Sequence, residues 1–262
     1  MLPRQELVEG SRHREALEAI LDTAEQALRS WTPCWSGFID GAVREEAEAR
    51  LATLAELTVQ SEGGHPGAAR RRLLLQRPEA PLNPADLPDE LLGLEISGNF
   101  LFDPSTALDF RQGLLTTAGV KPDDLGDLWL RGDRGAQAIA TSGCAQALDG
   151  LTAQVRSVQV QLLARPIAAL QCPATRQPRR FQSVEASLRL DAVGSAGLGL
   201  SRSRMADLVR QGAVRVNWQV ITSPSKELRC GDRVRLDGRG ELEILEIQPT
   251  KRDRWRLVMQ RR

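Results

Sequence analysis

The segment SRSRMADLVRQGAVRVNW, residues 201–218, constrains the fold more than any other part of the chain. Ser201 is a good helix N-cap. The apolar residues after it recur at helical spacing, which predicts a short helix with a buried stripe of Met205, Leu208 and Val209. Gly212 supplies a left-handed C-cap, and the alternation in AVRVNW predicts a strand. A helix that turns directly into a strand is typical of the α+β class, which we predict for the chain.

This helix begins with two arginines on alternate positions, Arg202 and Arg204, whereas Arg210 points away from its buried stripe. Positive side chains at a helix N-terminus oppose the macrodipole and cost roughly a few tenths of a kcal/mol each. A bound anion offsets that cost, and phosphate is the usual one. Arg189 opens the preceding predicted helix. The residues therefore indicate an anion site in which Arg189, Arg202 and Arg204 lie beside free helical amides; the alternative is an ordinary solvated helix end.

The charge of the chain is distributed unevenly. From Arg176 onward there are 19 basic and 10 acidic residues, a net charge of +9, while the first 175 residues carry 16 basic and 24 acidic residues, a net charge of −8. A basic C-terminal third on an acidic body favours a polyanionic partner at that end. The chain has no apolar run of about 18 residues, and its charged N-terminus does not read as a secretory signal, so we expect no membrane insertion.

The order of predicted elements divides the chain into four parts. These are an N-terminal helical region at 1–66, a small central domain of the ferredoxin or RNA-recognition-motif type at 67–168, a basic linker at 169–182 and a C-terminal domain at 183–262. A chain of 262 residues is long enough for two or three small domains.

The central domain is predicted in most detail. We expect strands at RLLLQ and LLGLEISGNF, a helix from near Pro104 to Gly119, a hairpin around RGDRG, a helix over CAQALDGLTAQ and a strand at VRSVQVQLL. A proline-rich loop at 78–90, with one helical turn at ADLP, separates the first two strands. Trp129 is almost the only aromatic residue of these strands, so we do not expect this sheet to bind RNA by base stacking.

Residues for catalysis or metal binding are few. The four cysteines show no CxxC spacing, and the two histidines lie far from them, so we expect no zinc site and no disulfide framework. Asp133 lies between arginines in a tight hairpin, where turns favour Asp for backbone reasons, and Asp127 is better explained as structural than as a metal ligand. Glycine-rich methyltransferase turns and paired nucleotide-binding signatures are absent from the sequence. We therefore expect no enzymatic activity, no cofactor and no metal.

The segment from Arg189 to Leu236 resembles the S4-type RNA-binding domain. The matching residues are Arg189-Leu190-Asp191, Ser201-Arg202, Ala206, Gly212, Val214-Arg215-Val216-Asn217 and Gly231-Asp232. In that family two helices and the following turn form a positively charged face that grips structured RNA. The resemblance thus adds further residues to the expected RNA-binding set, namely Ser201, Ser203, Arg215, Asn217, Lys226 and Arg233.

Three upstream segments, GFIDGAVREEAEARL, GGHPGAARRRLLL and GLLTTAGVKPDDLGDLWLRGDRGAQAIA, are similar to the YlmH-like branch, which includes the photosystem II S4 domain proteins. Asn217-Trp218, where many S4-domain relatives have Asn-Gly, also resembles this branch. One departure from it is Ala107-Leu108-Asp109-Phe110, which lacks the His-Arg of many relatives. The resemblance implies a monomer that binds rRNA or tRNA on the large ribosomal subunit, in the cytoplasm or in a plastid stroma. The alternatives that it leaves open are a photosystem II assembly or regulatory factor and an RNA-modifying enzyme.

Overall fold

The computed structural model describes residues 2–79, 91–174, 177–236 and 239–262. The chain divides into two compact units, residues 1–174 and 175–262. Together they contain helices and strands arranged in three sheets, so the predicted α+β class is confirmed. None of the described helices is long and apolar enough to cross a membrane.

The first unit begins with a helical layer on a small sheet. Its elements are α1 (Arg4–Val8), α2 (Arg14–Ser30), β1 (Cys34–Trp35), α3 (Gly41–Leu51), β2 (Thr58–Glu62) and β3 (Arg72–Gln76). Leu17, Ile20, Leu21 and Ala24 of α2 are buried, and their spacing of three and four residues places them on one face of the helix. Asp40 begins α3 by accepting hydrogen bonds from the amides of Ala42 and Val43.

The strand RLLLQ was predicted in the central sheet, and that placement is wrong. It is β3, and it is the middle strand of the small antiparallel sheet β1–β3–β2. All five of its residues are buried, including the three leucines. A short apolar run fits either sheet by its own pattern, and long-range pairing decides between them. The four-part domain division itself stays a prediction.

Without RLLLQ, the predicted order of the central part is β–α–β–β–α–β, and the structure has this order with one added strand before the last. Its elements are β4 (Leu91–Ser97), α4 (Ala107–Thr117), β5 (Leu125–Leu130), β6 (Gly135–Thr141), α5 (Ser142–Leu148), β7 (Thr152–Val155) and β8 (Val158–Arg165). All neighbours in the sheet order β5–β6–β4–β8–β7 are antiparallel. The β4, β5, β6 and β8 strands form the ferredoxin-like arrangement, and β7 adds an edge to it.

Two helix boundaries of the central part differ from the predictions. The first helix begins after Thr106, which forms a capping box with Asp109, rather than near Pro104. The second helix ends at Leu148, because Thr152–Val155 pairs with β8 as a strand instead of extending the helix. Residues 80–90, which hold most of the predicted proline-rich loop and its helical turn, lie outside the described residues.

The side of the central sheet opposite α4 and α5 is covered by other segments of the first unit. A buried cluster of Phe38, Leu91, Ile139 and Leu170 lies there. Glycines permit the close approach: a Cβ added at Gly93 would lie 2.6 Å from Cδ1 of Leu170. Trp129 is half-buried against this cluster and meets the His65 ring edge-on, with a centroid distance of 5.8 Å. This tryptophan is therefore part of the packing of the first unit, and the absence of base stacking on it stays a prediction.

The second unit is a six-stranded sheet with two helices on one side. Its elements are β9 (Arg179–Glu185), α6 (Leu190–Leu198), α7 (Arg202–Arg210), β10 (Val214–Val216), β11 (Gln219–Val220), β12 (Arg233–Leu236), β13 (Gly240–Pro249) and β14 (Trp255–Arg261). The sheet order is β11–β10–β12–β13–β14–β9, antiparallel throughout. The last four residues of the predicted linker belong to β9, so the ordered unit begins earlier than residue 183.

One apolar core joins the helices of the second unit to its sheet. Leu190 and Val193 of α6, and Met205 and Val209 of α7, pack with the inward residues of the strands. Small residues bring the layers together: a Cβ at Gly197 would lie 2.1 Å from Cδ2 of Leu242. This core holds the N-terminal ends of both helices in fixed positions beside each other.

Candidate nucleic-acid interface

The N-terminal end of α7 has the local structure that its sequence predicts. The Ser201 hydroxyl accepts a hydrogen bond from the Arg204 amide at 3.3 Å, which makes Ser201 the N-cap. Met205 and Val209 are buried and Leu208 is half-buried. Arg202, Ser203 and Arg204 are exposed. The first amides of a helix have no intrahelical acceptor, so this end offers N–H donors next to exposed guanidinium groups.

A single carboxylate brings two of the predicted arginines together. Arg189 donates hydrogen bonds to the Asp191 carboxylate from its Nε and Nη2 at 3.0 and 3.1 Å. Arg202 donates to the same carboxylate from its own Nε and Nη2 at 3.1 and 3.4 Å. The Asp191 residue is only 5% exposed. Burial raises the pKa of Asp191, but the hydrogen bonds from Arg189 and Arg202 outweigh it and hold that pKa below its ordinary value. Asp191 is therefore ionised at neutral pH and orients both guanidinium groups.

The role of Asp191 is the feature that the sequence analysis missed. In the sequence, Asp191 belongs to the motif Arg189-Leu190-Asp191. The only signal for its role is that an acidic residue lies between two helix N-termini that each begin with an arginine. Within the described ranges, the Nη1 groups of Arg189 and Arg202 have no protein acceptor. Those groups remain available to a ligand, with the pair carrying one net positive charge after Asp191 is counted.

Arg204 and Arg210 differ in their surroundings. In the part of the chain that the structure describes, the Arg204 side chain makes no hydrogen bond or ion pair. Arg210 is also exposed, but its Nη1 lies 2.8 Å from the carboxylate of Asp207. Arg204 thus offers a whole positive charge at the N-terminal end of α7, whereas Arg210 carries a paired charge at the other end.

A loop places Lys226 beside the same helix ends. The Lys226 carbonyl accepts the Leu190 amide at 2.8 Å, and the Pro224 carbonyl accepts the Asp191 amide at 3.0 Å. The Lys226 side chain is exposed. These loop carbonyls occupy the first amides of α6, so the expected free helical amides at that helix are not there. The amides available to an anion are those of α7.

The other three predicted residues lie on the opposite side of the sheet. Val214, Val216, Val234 and Leu236 point into the core that the helices cover. Their strand neighbours Arg215 and Arg233 therefore point away from the helices, because successive side chains alternate between faces. Asn217, in the turn after β10, donates to the Asp232 carboxylate at 2.8 Å and accepts the Arg233 amide at 2.9 Å. Both polar atoms of the Asn217 side chain thus make hydrogen bonds within the protein, and an RNA contact by Asn217 stays a prediction.

The acidic residues considered for chemistry lie in the first unit. The Asp127 carboxylate accepts the amides of Ala69 and Arg70 at 2.7 and 2.9 Å, and lies 3.4 Å from Nε2 of His65. It fixes the loop before β3 against β5. Asp133 is exposed in a short 3-10 turn between β5 and β6, and its carbonyl accepts the Phe100 amide. Both positions have structural explanations.

Comparisons with known proteins place two segments in known families. Residues 12–80 match the family described as YlmH, N-terminal, and residues 188–234 match the S4 domain. The chain is 29% identical over 252 residues to the Ribosome-associated protein quality control protein P2 of Bacillus subtilis (strain 168), covering 95% of this chain and 88% of that protein. A solved structure, the cell division protein ylmH from Streptococcus pneumoniae, aligns with a TM-score of 0.46 at 19% identity, over 59% of this chain and 92% of that one. The matches contain two of the three upstream segments with a YlmH-like resemblance and most of the S4-like segment, whereas the third upstream segment, at 113–140, lies outside both.

Proposed function

We propose that this chain, a YlmH-like protein with a C-terminal S4 domain, binds structured RNA on the ribosome and catalyses no reaction. The observation that carries the proposal is the pairing of Arg189 and Arg202 with Asp191, together with the exposed Arg204 at the N-terminal end of α7. The arginines offer phosphate-binding guanidinium groups at a helix end that itself favours anions.

Preorganisation supports RNA as the ligand. A guanidinium group that already has a fixed orientation loses little rotamer freedom when it binds a phosphate. Asp191 fixes two such groups, and the Lys226 carbonyl binds the first amide of α6. The net charge of +9 from Arg176 onward adds a long-range attraction to any polyanion. The acidic first unit has no such attraction, so we assign RNA affinity to the second unit.

The ribosome is the proposed location because a relative that this chain matches over most of its length is named a ribosome-associated quality control protein. Within that proposal the RNA is rRNA or tRNA on the large subunit, bound by one copy of the protein in the cytoplasm. The absence of catalysis is also a proposal. It rests on the structural engagement of Asp127, whose carboxylate holds two backbone amides.

Co-sedimentation with separated ribosomal subunits tests the location. We expect the purified chain to sediment with the large subunit and the variant Arg189→Ala/Arg202→Ala/Arg204→Ala to remain in the supernatant. Arg210→Ala is the matched control, because it removes the same kind of charge from the far end of α7. Sedimentation with neither subunit, or equal sedimentation of the triple variant, would overturn the proposal.

Two further measurements address the RNA and the chemistry. Sequencing of the RNA that crosslinks to the chain would name the bound segment, and we expect it in rRNA or tRNA.

Mass spectrometry of nucleosides from a strain lacking the protein tests for an RNA-modifying activity. We expect an unchanged set of modified nucleosides, and the loss of one would refute the proposal that no reaction is catalysed.

A further inference from the structure

The turn between β10 and β11 has an unusual residue at its second position. Asn217 and Trp218 both have positive φ angles, 48° and 69°, in a two-residue hairpin loop. This is a type I′ turn, in which the second position strongly favours glycine. A tryptophan there keeps the backbone in a strained conformation, and backbone strain of this kind clusters at functional positions.

The indole ring of Trp218 lies among arginines. The Cζ atoms of Arg233 and Arg235 lie 5.7 and 5.3 Å from its ring centroid, within the range of cation–π attraction. The ring is half-buried, so part of it remains exposed to solvent. Arg215 is directly opposite Arg235 in the pairing of β10 with β12.

Acidic residues lie near this group on β13 and at Asp232, whose carboxylate accepts a hydrogen bond from Asn217 beside Trp218. Glu243 and Glu241 of β13 face Arg233 and Arg235 in the strand pairing. On the other side lie β10 and the turn, with Arg215 and Trp218. The positive surface therefore extends from the arginines of β12 towards the tryptophan, on the sheet face that α6 and α7 do not cover.

We propose that Trp218, with Arg215, Arg233 and Arg235, binds an unpaired base of RNA. The base stacks on the exposed part of the indole ring, and the arginines bind the phosphates beside it. Stacking on an aromatic side chain next to guanidinium groups is the way in which proteins hold single-stranded nucleic acid. The inference rests on the proposed RNA binding and adds a second contact that selects RNA with an unstacked base. This contact lies on the sheet face opposite the helices that carry Asp191, Arg189 and Arg202.

The test uses the full chain and two fluorescently labelled RNA hairpins that differ only by one bulged adenosine. The variant Trp218→Gly removes the ring and places in the turn the residue that its backbone favours, so it folds. Trp218→Phe keeps an aromatic ring. The matched control is Trp31→Gly in the first unit. Trp31 also has a positive φ, 56°, and the Cζ atom of Arg77 lies 4.0 Å from its ring centroid.

We expect wild type to prefer the bulged hairpin, and Trp218→Gly to weaken its binding to that hairpin by roughly 5- to 150-fold. Binding to the paired hairpin should change little, and the salt dependence should stay the same because no charge is removed. Trp218→Phe should retain most of the preference, and Trp31→Gly all of it.

Three outcomes would overturn the inference. A wild-type protein that binds both hairpins equally shows that no base is selected, while the proposed RNA binding stands. Equal weakening of both hairpins by Trp218→Gly means that the ring only orients the arginines. A wild-type protein that binds neither hairpin removes the proposed function and, with it, this inference.

Discussion

Replacing arginines along α7 tests whether its N-terminal end is a phosphate site. The informative variants are Arg204→Ala, Arg202→Ala and Arg210→Ala, which remove one guanidinium group each from the same helix. If the positive charge of the domain acts only through its total, the three variants will weaken RNA binding alike. If phosphates bind at the N-terminal end, they will differ.

The structure ranks the three effects. Each phosphate that a cation neutralises contributes roughly 0.7 to 0.9 to the slope of log affinity against log salt concentration. Arg204→Ala should lower the slope by that amount, because the described residues provide no partner for its charge. Arg202→Ala should lower it less, since Asp191 already neutralises part of that charge. Arg210→Ala should have the smallest effect because Asp207 pairs with it at the far end.

The same variants separate binding from folding. Arg202→Ala deprives the buried Asp191 of two hydrogen bonds, and we expect a cost of about 1 kcal/mol in the free energy of unfolding. That value is below the roughly 1.5 to 3 kcal/mol typical of hydrogen bonds to charged groups, because the Arg202 side chain is 55% exposed to solvent. Arg204→Ala should leave the free energy of unfolding unchanged within about 0.5 kcal/mol.

Fluorescence anisotropy over a series of salt concentrations measures the slopes, and urea unfolding measures the stability of each variant. Affinity should fall nearly alike for all structured RNAs, because phosphate contacts position a protein without reading sequence. Equal slopes for Arg204→Ala and Arg210→Ala would refute the reasoning, since α7 would then be an ordinary solvated helix.

Three other predictions follow from burial and pairing. Because the folded protein holds the pKa of Asp191 below its ordinary value, its contribution to stability is present above about pH 4 and is lost as the pH falls through the lowered pKa; urea unfolding at pH 7 and pH 3 should show a smaller difference for Asp191→Asn than for wild type. Burial, together with the nearby charge of Asp124, raises the pKa of the Cys144 thiol to about 11; iodoacetamide at pH 8 should therefore alkylate the exposed Cys230 well before Cys144, and peptide mass spectrometry showing the reverse order would contradict this. A fragment of residues 175–262 should fold and bind RNA, whereas one of residues 183–262 cuts β9 and should melt at a lower temperature by circular dichroism; equal melting temperatures would mean that β9 is dispensable.

The sequence alone determined those parts of the protein whose signals are local. The helix α7, its cap at Ser201 and the glycine turn at Gly212 were predicted from caps and apolar spacing within 18 residues. The α+β class followed from the same kind of signal, because short-range spacing specifies each element. The C-terminal S4 domain was predicted from the resemblance of residues 189–236 to that family, and residues 188–234 match it.

Only the tertiary structure decided which segments meet. The apolar β3 fits two sheets by pattern, and its pairing with β1 and β2 placed it in the smaller one. Asp191 is an ordinary acidic residue in sequence, and it became the centre of the candidate site because the packing of α6 against α7 brings Arg202, 11 positions away, to its carboxylate. The predicted RNA-binding residues likewise separated onto two faces of one sheet. Strand register and helix packing decide these neighbours, and both depend on contacts between residues far apart in the chain.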